Sequence, residues 1–327
     1  MENEKRKEKN KKLKTIYLGG GTPSQLTTEQ LRQLFYNIYK VYGRDAEEIT
    51  IEMNPDDVTE TYAEALPELG INRVSMGAQT FDNARLKFLH RRHRAEQVEQ
   101  AVKRLRKAGI QNISIDLMYG FPDETLEDWK QDIKKALTLN VEHISAYCLM
   151  IEDETPLARL GIEPCDEETE CTMYYTLIDC LEAAGYEHYE ISNFARQGYR
   201  SRHNSSYWHD VPYIGLGAAA HSYDGACRSW NVADIRQYIA AIERGERPAE
   251  YETLDEDMRY NDRVTVALRT SDGLDLTTLS EKHRRYCLKE AQRYLSDGLL
   301  RLDDNRLVLT RKGLFVSDMV MSGLIYV

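Results

Sequence analysis

No stretch of the 327-residue chain approaches the roughly 20 consecutive apolar residues that a membrane-spanning helix needs. Cysteine is sparse, with six residues at 148, 165, 171, 180, 227 and 287 and no C-x-x-C pair among them. Thiols so unevenly spaced in a long chain are ordinary buried side chains rather than a disulfide framework, and their spacing gives no metal site. Positive charge is in deficit: 43 Lys+Arg against 54 Asp+Glu leave a net charge of −11. That balance argues against a nucleic-acid partner, because phosphate binding depends on Lys and Arg. No secretory leader is expected, since Met1 to Lys14 is polar and basic where an apolar core would stand. The expected setting is the cytoplasm. With 42% apolar and 30% charged residues, the remaining class is a globular protein large enough for one large and one small domain.

The first half repeats a two-part unit, a short β-branched run followed by a longer run of helical period. Strands are expected at Thr15 to Leu18, Glu48 to Met53, Arg73 to Met76, Asn112 to Leu117 and His143 to Leu149. Between them, Leu31, Leu34, Phe35, Ile38, Tyr39 and Tyr42 fall on one helical stripe, as do Val98, Ala101, Val102 and Leu105. Thr125 and Asp128 form a capping-box signature ahead of Trp129, Ile133 and Leu137. Gly70, Gly109 and Asn140 each supply a left-handed helix end shortly before the next strand. Such alternation gives a parallel sheet, either open and doubly wound or a closed or partial (β/α) barrel.

The rhythm changes after Gly185. Residues 193–224, rich in Tyr, His, Ser and Gly, read as loop and short strand, within a connecting region that runs to residue 250. From residue 251, helices around Met258 to Leu268 and Cys287 to Leu295 precede a hairpin, Leu299 to Leu302 and Arg306 to Leu309, as in a winged-helix-like α+β module. On so acidic a chain, packing rather than DNA binding is its expected role.

Chemistry concentrates at the strand ends, where α/β folds bind ligands. Gly19-Gly20-Gly21-Thr22 lacks both the Walker and the dinucleotide spacing but exposes bare backbone amides. Glu52 and Asp116 sit in otherwise apolar strands, where a carboxylate is costly unless it binds something. Gln79 and Met150 end two further strands, and Arg91 lies in the basic run Leu89-His90-Arg91-Arg92-His93.

Taken together, Tyr17-Leu18-Gly19-Gly20-Gly21-Thr22-Pro23-Ser24, Ile51-Glu52-Met53-Asn54-Pro55, Ser75-Met76-Gly77-Ala78-Gln79-Thr80-Phe81 and Ile115-Asp116-Leu117-Met118-Tyr119-Gly120-Phe121-Pro122 resemble the radical S-adenosylmethionine (SAM) family of oxygen-independent coproporphyrinogen III oxidases, HemN. A later run, His203-Asn204-Ser205-Ser206-Tyr207-Trp208, with Tyr213 to Ser222, is similar to the H-N-x-x-Y-W signature of its haem-chaperone branch, HemW. The resemblance extends from Thr15 over nearly the whole chain. It implies that Gly20, Gly21 and Thr22 contact the methionine part of SAM, that Glu52, Gln79, Arg91 and Asp116 bind SAM or a second copy of it, and that Met150 gives a backbone contact. It also attaches haem to His203, neutral imidazole being a common axial ligand of haem iron.

The family further carries a first strand followed by C-x3-C-x2-C, which holds a [4Fe-4S] cluster, whereas this chain has no cysteine before Cys148. Residues Lys5 to Lys14 read as the tail of the helix after that strand, as expected of a natural truncation or a gene model opened at an internal Met. The implied organisation is a basic segment at 1–14, a partial (β/α)6 barrel lacking its first strand at 15–192, the connecting region at 193–250 and the winged-helix-like domain at 251–327. The implied function is uptake of haem and its transfer to an acceptor protein. Decarboxylation of coproporphyrinogen III in porphyrin biosynthesis is the alternative, and an inactive truncated homologue the third possibility.

Overall fold

The computed structural model describes residues 12–151, 156–159, 161–163 and 165–327. Most of the helix tail expected at Lys5 to Lys14 lies outside the described residues, and residues 12–14 are not helical. Two compact units divide after His203.

The first unit is built on a sheet of seven strands: β1 (Thr15–Leu18), β2 (Glu48–Met53), β3 (Arg73–Gln79), β4 (Asn112–Tyr119), β5 (His143–Cys148), β6 (Glu187–Glu190) and β7 (Asn193–Ala195). β1 to β5 are parallel neighbours, and β7 lies antiparallel between β5 and β6. The chain thus forms the parallel, partly closed (β/α) sheet that the alternation and the resemblance imply. β7 lies in that sheet, so the first unit runs beyond residue 192.

Local chemistry sets the crossovers. Thr27 caps the helix Thr28–Tyr42 in a capping box with Gln30, and Thr125 caps Leu126–Thr138 with Asp128. Gly70, Gly109 and Asn140 adopt φ of 83°, 97° and 50°, the left-handed turns that release each helix into the next strand. The outer face of the sheet is apolar: Ile49, Ile51, Val74, Met76, Ile113, Ile115 and Ile144 are buried, as are Leu31, Phe35, Val98, Leu105, Trp129 and Ile133 of the crossover helices. Each such side chain contributes ~2 kcal/mol by leaving water. Leu34, expected on the buried stripe, lies at its edge and is exposed.

The inner face is polar. Alternate residues Thr15 and Tyr17, Glu48, Thr50 and Glu52, Arg73 and Ser75, Ser114 and Asp116, and His143 and Ser145 point the other way from the apolar set. At the amino-terminal end of the strands this polar layer joins the two sides of the sheet. His143 is hydrogen-bonded through Nδ1 to Ser114 Oγ (2.8 Å) and through Nε2 to the Tyr189 hydroxyl (2.7 Å), which also accepts from Ser201 N. The next two amides, Arg202 N and His203 N, donate to the two oxygens of buried Glu48 at 3.0 and 2.9 Å. Residues from β2, β5 and β6 therefore meet across the bore, which requires the sheet to curl.

The segment after residue 200, expected as loop, forms the helix Arg202–Trp208. Within the second unit a three-stranded antiparallel sheet of β8 (His221–Tyr223), β9 (Cys227–Asn231) and β10 (Ala249–Thr253) precedes the helix Glu256–Ala267. The helix Glu281–Ser296 and the hairpin of β12 (Leu300–Asp303) and β13 (Arg306–Leu309) follow β11 (Leu274–Asp275), which pairs with β13. That order is winged-helix-like. Among the described residues no helix is long and apolar enough to cross a membrane, and all six cysteines are free thiols.

Glu48→Ala leaves two backbone donors without their buried acceptor and is expected to cost ~2 to 3 kcal/mol in urea unfolding. The neighbouring Glu47→Ala, which loses only an exposed ion pair with Arg202, should cost under ~1 kcal/mol. Equal effects would show that Glu48 does not hold the base of the bore.

Candidate functional site

The carboxyl ends of β1 to β4 bring Gly20, Gly21, Thr22, Glu52, Gln79, Arg91 and Asp116 to one end of the bore. Gly20 and Gly21, at φ of 75° and 70°, are exposed with open space where a Cβ would stand. Glu52 Oε1 accepts from the Tyr17 hydroxyl at 2.7 Å and Oε2 from Gly20 N at 3.2 Å, so the carboxylate fixes the glycine turn. A side chain at Gly19 would overlap Tyr17 and approach Glu52 Oε1 to 2.8 Å, so that position must lack a Cβ.

β3 ends under strain. Gln79 adopts φ of 66° after a register shift at Gly77, and a non-glycine residue in that region is held there by its surroundings. Arg91 Nη2 donates to Asn54 Oδ1 at 2.8 Å and to Gly77 O at 3.0 Å. A Cβ at Gly77 would lie 2.6 Å from Gln79 Nε2 and 2.9 Å from Arg91 Nη2. Glycine there lets both polar groups close over the strand end, and burial lowers the Arg91 pKa.

Asp116 lies deeper, level with Gly77 and Ser145 on the flanking strands, with Ser75 Oγ at 3.3 Å. Burial pushes its carboxyl up to about 6, opposed by the charge of Arg73 and a hydrogen bond from Ser145, and reinforced by Glu52. Met150 follows β5 at the same end with an exposed side chain.

Sequence reasoning passed over Arg73, Glu48 and His143. The Arg73 guanidinium is buried at 2% exposure, and its Nε has no hydrogen-bond partner. Burial, then the charge of Arg73, holds His143 well below its usual range and His203 down to about 4. The signal was the strict polar-apolar alternation of Arg73 to Gln79, unusual in a parallel strand and diagnostic of a polar bore.

His203 sits at the opposite end of the strands from the crevice. Its Nδ1 is hydrogen-bonded to Thr15 Oγ1 at 2.8 Å, and its ring stacks on Tyr17 with centroids 4.8 Å apart. Farther along, Tyr207 and Tyr213 meet edge to face at 4.6 Å.

The crevice fits SAM in its chemistry: open amides and carboxylates suit an α-amino acid and a ribose. The residues do not fit a [4Fe-4S] cluster, which needs three thiolates at one place. Among the described residues no three metal-ligating side chains converge. Cys148 and Cys165 do approach each other beside Gly120, but burial raises both thiols and no third sulfur joins them.

The Radical SAM superfamily model matches residues 1–136 and the HemN C-terminal domain model residues 254–316. The chain is 35% identical to heme chaperone HemW of Bacillus subtilis over 95% of its own length and 85% of that protein's. It is 36% identical to heme chaperone HemW of Lactococcus lactis over 92% and 82%. In structure it superposes on the radical SAM enzyme coproporphyrinogen III oxidase (HemN) of Escherichia coli with a TM-score of 0.82 at 22% identity, covering 95% of this chain and 77% of that one. At that identity the likeness shows the fold.

Two outcomes follow from the site. Because the folded pKa of Asp116, about 6, lies above its ordinary 3.8, its charge opposes folding above pH 6, and the penalty disappears as pH falls toward 3.8. Asp116→Asn should thus raise stability at pH 8 by on the order of 2 kcal/mol, with a smaller gain at pH 5; a loss at pH 8 would show a carboxylate satisfied within the fold. Anaerobic reconstitution of this chain with iron and sulfide should leave no [4Fe-4S] absorbance after desalting, and a stoichiometric cluster would contradict the fit argument.

Proposed function

The chain belongs to the HemW family of the radical SAM superfamily, and from that premise we propose that it is a haem chaperone, taking up haem and passing it to an acceptor protein in the cytoplasm. The observation that carries this is identity to HemW proteins over more than nine-tenths of the chain, with the H-N-x-x-Y-W run at His203 to Trp208. The fold of HemN is shared, but at 22% identity it brings no decarboxylase activity with it.

SAM is the second ligand of this reading. Gly20, Gly21 and Thr22 would meet its methionine part, Glu52 and Asp116 its ammonium and ribose groups, Gln79 and Arg91 its polar edges, and Met150 would give a backbone contact. SAM bound beside an iron cluster is a source of the adenosyl radical, and the part proposed for the residues named is to bind it. Glu52 orients the glycine turn, Gln79 and Arg91 close the β3 end, and Asp116 accepts the buried donor.

For haem, the resemblance offers His203, whose ligation would have to go through Nε2 because Nδ1 already holds Thr15.

Equilibrium dialysis with radiolabelled SAM and a haem-transfer assay test the two halves separately. Wild type should bind SAM, with Asp116→Ala weakened ~10-fold or more, the loss of a buried charged hydrogen bond of ~1.5 kcal/mol or above. Haem-loaded chain should convert a haem-free acceptor to its holo spectrum faster than a non-specific carrier such as serum albumin does. Equal SAM binding by the variant would remove the crevice, and a transfer rate no better than albumin's would remove the chaperone.

A further inference from the structure

The basic run Leu89-His90-Arg91-Arg92-His93 holds one residue that the crevice leaves without a task. Arg91 reaches Gly77 O, and Arg92 pairs with Asp56 and Asp57. His93 is buried at 2% exposure, and its Nε2 lies 3.2 Å from Ala78 O. A carbonyl oxygen can only accept, so Nε2 carries the proton, and burial holds the ring neutral by lowering its pKa. Nδ1 is then a bare acceptor, buried and without a hydrogen-bond partner among the described residues. A histidine so placed costs more than an apolar side chain of similar size, unless the bond it does make is needed.

That bond falls on a strained turn. Thr80 N donates to Ala78 O at 2.9 Å across Gln79, whose φ is 66°. A bond from residue i to i+2 around a residue at positive φ makes the rare, strained form of the γ-turn. Ala78, wholly buried, is the extra residue of the register shift between Gly77 and Gln79. Its oxygen therefore takes two donors, one from the turn and one from His93, which uses both lone pairs.

Beyond the turn the chain is anchored as well. Asp132, buried on the helix Leu126–Thr138, accepts from Thr80 Oγ1 at 2.5 Å and from Phe81 N at 3.1 Å. Gln79 is thus the one residue left between a fixed point at Ala78 and another at Thr80 and Phe81. Strain of this kind persists where the surroundings over-determine it.

We propose that His93 is a positioning residue of the SAM crevice: by holding the Ala78 carbonyl it keeps the γ-turn formed and Gln79 presented to the ligand. The inference rests on the SAM half of the function proposed above and adds to it a residue that touches no ligand. Without His93 the turn relaxes toward negative φ at Gln79. The fraction of chains with Gln79 in place then falls, and apparent affinity falls by the same factor. Global stability changes little, because relaxing a strained turn and removing an unpartnered buried nitrogen offset the lost bond.

Equilibrium dialysis with radiolabelled SAM, alongside thermal unfolding, tests this on wild type, His93→Leu, His93→Gln, Gln79→Ala and the double variant His93→Leu/Gln79→Ala. His93→Leu should bind SAM about fivefold more weakly or worse, with an unfolding midpoint close to that of wild type. His93→Gln, whose amide nitrogen takes the place of Nε2 toward Ala78 O, should bring affinity back to within about twofold of wild type. The double variant should bind no more weakly than Gln79→Ala, because His93 acts through that side chain. Wild-type affinity in folded His93→Leu, losses that add in the double variant, or no rescue by His93→Gln would overturn the positioning role and leave the SAM reading standing. His93→Asn, too short to reach Ala78 O, replaces His93→Leu if that variant does not fold; failure of both to fold would make His93 a residue of the fold alone and overturn the proposal. Absence of saturable SAM binding by wild type would overturn both.

Discussion

A buried guanidinium in the middle of a parallel sheet constrains everything around it. Arg73 opens β3 on the inner face, almost wholly removed from water, and its Nε has no partner. A charge in such a place is tolerated only if the surroundings answer it. Here the answer is distributed: burial raises the Asp116 carboxyl and Arg73 partly offsets it, while burial and then the charge of Arg73 keep His143 and His203 neutral. The inner face beside it is accordingly lined by Thr50, Glu52, Ser75, Ser114 and Ser145, and so polar a face is not covered by helices as the outer one is. It must close on itself, which the bonds of His143 to Tyr189 and of Glu48 to the amides of Arg202 and His203 accomplish at one end.

Closing one end leaves the other as the way in. The same strands that begin in a hydrogen-bonded plug finish in exposed glycine amides, a strained Gln79, an Arg91 bound to carbonyl-type oxygens and, deeper, the carboxyl of Asp116. Costs of this kind collect where a ligand supplies the missing partners.

Much of the first unit was legible in the sequence. β1 and β2 fall where the β-branched runs place them, because flanking turn residues mark both ends. Glu52 and Asp116 stood out as lone carboxylates on apolar strands, and the structure brings them to one face. Arg73 and Glu48 were not singled out because each stands at the first position of a strand, where a charged residue reads as solvated; only the alternation across several strands reveals a shared bore. The helix Arg202–Trp208 was unreadable as such, since His, Asn and Ser favour turns, and its amino end is fixed by Glu48, some 150 residues away in sequence. β9 and β10 escaped for a similar reason: Cys227-Arg228-Ser229-Trp230-Asn231 has no apolar alternation, and its pairing supplies what its composition lacks.

The central claim, that the polar bore is closed at its base and receives SAM at the strand ends, is tested most directly by a crystal structure of the chain grown with SAM. Electron density for the ligand should appear over Gly20 and Gly21, with polar atoms within hydrogen-bond distance of Glu52 and Asp116 and the amides of Arg202 and His203 still on Glu48. Ordered ligand elsewhere, with the strand-end crevice filled only by water at saturating concentration, would contradict it.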